Sequence, residues 1–88
     1  MQITDIRVRK MTNKGRVKAF ASIVFDNEFV VHDIKIIDGD DGFFIAMPSR
    51  KSADGKYFDI VHPINSRMRY KIQKQTMDKY SQMMFEES

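Results

Sequence analysis

Two histidine–carboxylate neighbourhoods, His32-Asp33 and Asp59 with His62, are where this sequence comes closest to catalytic chemistry. Adjacent residues of a strand point to opposite faces, so His32 and Asp33 are expected not to act as a pair. Asp59 and His62 lie three apart in a segment ending at Pro63, again on opposite faces if the strand is regular. A metal site needs three or more convergent ligands, and no HExxH spacing occurs. The expectation is therefore structural: His32 buried and hydrogen-bonded in a sheet, His62 holding a corner. Asp38 to Gly42, DGDDG, is too short for a calcium loop and lacks its terminal Glu. Gly39 and Gly42 are followed by no GKS or GKT, so no phosphate loop is present. No catalysed reaction, cofactor, metal or small-molecule substrate is expected.

The cations form the stronger constellation. Residues 1–25 hold six Lys/Arg against Asp5, and residues 26–45 six acids against Lys35. Residues 46–80 hold eight Lys/Arg against three Asp. Two basic segments thus bracket an acidic one, although the net charge is only +3. Segregated positive charge of this kind is the footprint of a nucleic-acid binder, or otherwise a solvated surface. Arg50, Lys51 and Lys56 surround an Asp54-Gly55 turn. Arg67, Lys71 and Lys74 follow at helical spacing i, i+4, i+7. Arg69 falls on the apolar side of the same helix, where an ion pair with the sheet competes with phosphate contact. These seven residues are the candidate nucleic-acid site. The N–H groups at the helix start, residues 66–69, add a place for one phosphate. Tyr57, Phe58 and Tyr70 can stack on unpaired bases or pack in a core or interface.

The elements that must position these residues follow from periodicity. Thr4, Ile6 and Val8 alternate with Asp5, Arg7 and Arg9, as in a half-buried strand. Asn13-Lys14-Gly15 has turn chemistry. In residues 17–25 the odd positions Val17, Ala19, Ala21, Ile23 and Phe25 share a face. Arg7, Arg9, Lys14, Arg16 and Lys18 then form a second basic patch on the other side of the sheet. In residues 29–37, Val30, His32, Ile34 and Ile36 are expected on one face, with Val31 and Asp33 on the other. Residues 43–47 make a fourth strand that Pro48 stops, and residues 57–61 return as a fifth. Pro63 delays the helix until Asn65 or Ser66 can cap it.

From there to about residue 85 no Gly or Pro intervenes, and Met68, Ile72, Thr76, Tyr80, Met83 and Met84 gather on one side. About 30 Å of helix is long for so small a sheet. The end with Met77, Tyr80, Met83, Met84 and Phe85 is expected to meet a second subunit. The fold expected is α+β: an antiparallel meander of about five strands with a C-terminal helix, acting as a homodimer. Residues 1–85 make one domain and 86–88 a short acidic tail. With no cysteine, no apolar run long enough to span a bilayer and no signal-peptide core, the expected place is the cytoplasm.

One ordered set of residues comprises Phe29-Val30-Val31-His32-Asp33-Ile34, Ile37-Asp38-Gly39, Gly42, Phe44, Ala46-Met47-Pro48-Ser49 and Asp54-Gly55. It continues through Asp59-Ile60, His62-Pro63-Ile64-Asn65-Ser66, Arg69 and Lys71-Ile72-Gln73. The set resembles the SpoVG family of bacterial septation proteins. The resemblance implies a small dimeric regulator, a β-sheet with a C-terminal helix, that binds DNA and RNA. It also implies effects on sporulation septum formation and, elsewhere, on virulence and cell-envelope genes. By position it implies a binding side with Arg50 or Lys51, Arg69 and Lys71. Arg67, Met68 and Tyr70 fall where such proteins vary, and the Met-rich residues 77–88 depart from the longer acidic ends of relatives. The alternative is a protein-interaction regulator of division or envelope whose basic face meets an acidic partner.

Overall fold

Alternation in the second strand sets the architecture. In the computed structural model, which describes residues 1–12 and 15–87, β1 (Ile3–Lys10), β2 (Val17–Phe25), β3 (Phe29–Gly39) and β4 (Gly42–Ala46) form one antiparallel sheet in chain order. A two-stranded hairpin, β5 (Ser49–Lys51) and β6 (Tyr57–Asp59), and the helix α1 (Ser66–Glu87) complete it. The class is α+β, with four strands in the meander. The fifth expected strand pairs with Ser49–Lys51 and leaves β4 as an edge. The reason is Pro48: it ends β4, and its carbonyl accepts from Ile60 N–H at 2.8 Å to close the base of a separate hairpin. Within the Asn13-Lys14-Gly15 turn, Asn13 and Lys14 lie outside the described residues, as does Ser88 of the expected tail.

Ala19, Ala21, Ile23 and Phe25 of β2 are buried, as their period-two spacing requires. The helix covers them from end to end. Ile72 and Met68 pack with Ala21, Ile23, Phe25, Val31 and Ile34. Tyr80, Met77, Met83 and Met84 pack with Ala19, Ile36, Val8 and Ile45. The helix end therefore rests on its own sheet, contrary to expectation, and Phe85 alone of its apolar group stays open at 81% exposure. The sheet is long enough because β3 has 11 residues, about 36 Å of extended chain, against 22 helical residues at about 33 Å. Among the described residues no helix is long and apolar enough to cross a membrane.

The faces of β3 do not alternate as expected. Ala21 pairs with Ile34 but Ile23 pairs with Val31, so two residues oppose Ser22 alone. Asp33 takes the extra place in a left-handed conformation, φ 62°, which Asp tolerates better than most side chains. Val31, Ile34 and Ile36 consequently point to the core, and His32 and Asp33 are both exposed. A positive-φ pair, Asp26 and Asn27, turns β2 into β3 as a mirror-image hairpin turn, with Glu28 N–H donating to the Phe25 carbonyl at 2.9 Å. The chain start is tied to that turn: Asp26 N–H donates to the Gln2 carbonyl at 2.8 Å, and Asn27 N–H to the Thr4 hydroxyl at 2.9 Å.

Candidate nucleic-acid interface

The hairpin is built by its turn. Gly55 sits at φ 87°, where a side chain would be strained. Its N–H donates to the Ser52 carbonyl at 3.0 Å, and Ser52 N–H donates to the Lys56 carbonyl at 2.7 Å. The Ser52 hydroxyl also donates to the Asp54 carboxylate. That bond first, and the Lys56 amide second, hold the Asp54 carboxyl below its ordinary range. Asp54 therefore stays charged on a loop otherwise given to cations. Arg50 pairs across the ladder with Phe58 and Lys51 with Tyr57. The Lys51 ammonium stands 6.0 Å from the centroid of the Tyr57 ring, a cation–π distance. Arg50, Lys51 and Lys56 are all exposed. Tyr57, 71% exposed, and Phe58 are open as well.

The helix supplies the other four cations. Asn65 is the cap: its side-chain oxygen accepts from Met68 N–H at 2.8 Å and its carbonyl from Arg69 N–H at 3.2 Å. Two of the helix-start N–H groups expected to receive a phosphate are thus already engaged, at Met68 and Arg69. Arg67, Lys71 and Lys74 lie on the outward face and are exposed. Lys74 shares its charge with Asp78 at 3.0 Å, four residues on. Hydrogen bonding to that carboxylate, reinforced by its charge, raises the Lys74 ammonium above the ordinary lysine range. Arg69 is exposed too, and among the described residues it makes no ion pair with the sheet. It lines a shallow groove with Ser66, Tyr70, Gln73 and Lys74.

The charge arrangement of α1 opposes its own dipole. The first turn has no acidic residue and the last turn no basic one, while Arg67 and Arg69 stand at the positive pole and Glu86 at the negative. Carboxylates at the start and cations at the end would stabilise the helix. Helix stability is thus not what places these arginines. The seven candidate cations fall on two elements that follow one another in the chain, three on the hairpin and four on the first three turns of α1, joined by residues 60–65. The principal contacts of α1 are with β1 and β4.

The sheet face turned away from α1 forms a different surface. A groove of about 820 Å³ there is lined by Arg7, Arg9, Phe20, Val24, Val30 and His32, among others. His32 is exposed, contrary to the expected burial, and its Nδ1 lies 2.8 Å from the Ser22 hydroxyl. The β3 bulge puts Asp33 in the same groove, so the pair expected on opposite faces shares one. Periodicity hides this, because it assigns one phase to the whole strand; the signal is an Asp, tolerant of positive φ, in the middle of a strand rich in Val and Ile. Among the described residues no three His, Cys, Asp or Glu side chains converge to hold a metal. His62 keeps to its corner, with Nδ1 3.1 Å from the Pro63 carbonyl. In the second basic patch Arg7 meets Asp5 at 3.2 Å and Arg16 meets Asp40 at 2.7 Å, while Lys14 lies outside the described residues.

Residues 1–82 match the SpoVG family model. The chain is 58% identical over 88 residues to the "Putative septation protein SpoVG" of Clostridium kluyveri, covering 100% of this chain and 92% of the relative. It is 61% identical over 80 residues to the protein of the same name from Caldicellulosiruptor saccharolyticus, covering 91% of each. With that of Clostridium acetobutylicum it shares 58% over 87 residues, 99% of this chain and 92% of the relative.

Proposed function

The chain belongs to the SpoVG family, and we propose that it is a cytoplasmic regulator that binds DNA or RNA through the β5–β6 hairpin and the start of α1. It catalyses no reaction and needs no cofactor. The observation that carries this reading is the inverted charge of α1. Arg67 and Arg69 at the positive pole, with no acid in the first turn, weaken the isolated helix but concentrate positive potential where a phosphate backbone can meet it. Arg50, Lys51 and Lys56, all exposed, extend that field along the hairpin. The name carried by the relatives points to septation as the process regulated.

The test is a salt series on duplex DNA and single-stranded RNA. Log affinity should fall linearly with log salt, with a slope of about −0.9 per phosphate neutralised on duplex. A flat slope, or binding only to acidic polypeptide, would replace this reading with that of a protein-interaction regulator.

The protein acts as a homodimer in this proposal. Tyr57, Phe58, Ile60, Ile64 at 89% exposure, and Tyr70 are open to solvent around the hairpin and its exit. So many large apolar side chains on one segment suit a protein interface. A second copy brings two hairpins and two helix starts to one ligand. Sedimentation equilibrium at micromolar concentration should return twice the 10.4 kDa of the chain; the monomer mass would remove this part of the proposal.

A further inference from the structure

The sheet face turned away from α1 carries a cross-strand row that the hairpin-and-helix site does not use. Phe20 of β2 pairs with Arg9 of β1 on one side and with Lys35 of β3 on the other. Such neighbours have Cβ atoms about 5 Å apart, so a half-buried aromatic ring is flanked on both sides by cations. The next row sets Arg7 opposite Ser22, whose hydroxyl lies 2.8 Å from His32 Nδ1. Asp5 meets Arg7 at 3.2 Å, and Asp33 sits in the groove, so the second row is partly neutralised. Among the described residues Arg9 and Lys35 make no ion pair. Arg9 is exposed and Lys35 half-buried beside the ring.

We infer that this face is a second nucleic-acid site, in which an unpaired base stacks on Phe20 while Arg9 and Lys35 take the adjoining phosphates of a single strand. A ring between cations on an open sheet is the arrangement by which bases are stacked and backbones tracked without sequence preference. A duplex fits it less well, because its bases already stack on one another. An acidic peptide would satisfy the cations and leave the ring without a partner. The two sites lie on different elements, since β1, β2 and β3 bury their other face under α1. The inference rests on the nucleic-acid reading above only for the class of its ligand.

The chain has no tryptophan, so Phe20→Trp creates a single reporter within the proposed stack. Its fluorescence should be quenched by a short oligothymidylate and left unchanged by a duplex of equal length. The quench should persist when Arg50, Lys51, Arg67, Lys71 and Lys74 are replaced by alanine, and vanish with Arg9→Ala and Lys35→Ala. An unquenched reporter at saturating oligothymidylate overturns the inference, as does equal quenching by polyglutamate or by duplex. Phe20→Leu, which keeps the apolar contact without the aromatic face, is the second variant. Placed in the five-alanine background, so that the hairpin and helix start do not contribute, it should bind oligothymidylate by anisotropy on the order of tenfold more weakly than the five-alanine protein. Equal affinity there would also overturn the site. Failure of the hairpin-and-helix reading is read separately, as unchanged duplex binding by the five-alanine variant.

Discussion

Replacing Arg50, Lys51, Arg67, Lys71 and Lys74 together by alanine should weaken duplex binding on the order of a thousandfold near physiological salt. Each phosphate contact contributes about 0.9 to the slope of log affinity against log salt. Lys74 is already engaged with Asp78 at 3.0 Å, so four residues count fully. The slope should therefore fall in magnitude by about 3.6, which over the interval from 1 M to 0.15 M salt is roughly three decades. Stability should hardly move. All five side chains are exposed, and alanine is the best helix former at the three helical positions. What is lost is one helical ion pair and the Lys51–Tyr57 contact at 6.0 Å, each small on a surface. Removing Arg67 relieves the charge set against the dipole. A folded variant that binds duplex with the wild-type slope would exclude the hairpin and helix start as the site.

The parts of this fold legible in advance are those governed by a single period. Val17 to Phe25 alternates without interruption, and its odd positions Ala19, Ala21, Ile23 and Phe25 are buried as read. Met68, Ile72, Thr76, Tyr80, Met83 and Met84 share one helical side, and that side is the one on the sheet. Asn65 and Ser66 were both reasonable caps, and the geometry selects Asn65. Reading failed where a local irregularity changed the phase or a partner was far in sequence. One left-handed residue, Asp33, reverses every facing before it in β3. Pairing of residues 57–59 with 49–51 instead of 43–47 depends on where Pro48 breaks the ladder. Exposure of the candidate cations was legible because charge seldom buries unpaired. Whether Arg69 meets a carboxylate was not, since that depends on which acid the folded sheet brings within reach.

Truncating Ile72 to alanine should cost about 2–5 kcal/mol, a large share of the 5–15 kcal/mol that holds a domain folded. Ile72 is 5% exposed and is the fully docked helix residue of the cluster formed by Ala21, Ile23, Phe25, Val31 and Ile34. Ala21, the one alanine of that cluster, has only a methyl group with which to fill the space, so a cavity should persist and the cost should lie in the upper part of that range. For a chain of this length the melting midpoint should drop by at least about 10 °C. Thr76 stands one turn further along the same face and predicts the opposite sign. It is fully buried, and among the described residues its hydroxyl has no hydrogen-bond partner, so it bears a desolvation cost without return. Thr76→Val keeps the shape and the helix propensity, and should raise stability by roughly 1 kcal/mol. Neither change touches a cation, so the Thr76→Val protein should keep the wild-type salt slope on duplex. A destabilised Thr76→Val would mean that the hydroxyl is satisfied in solution. An Ile72→Ala protein melting with the wild type would mean that α1 does not rest on the sheet along this line, and that the helix start is not held in the place from which it is proposed to meet phosphate.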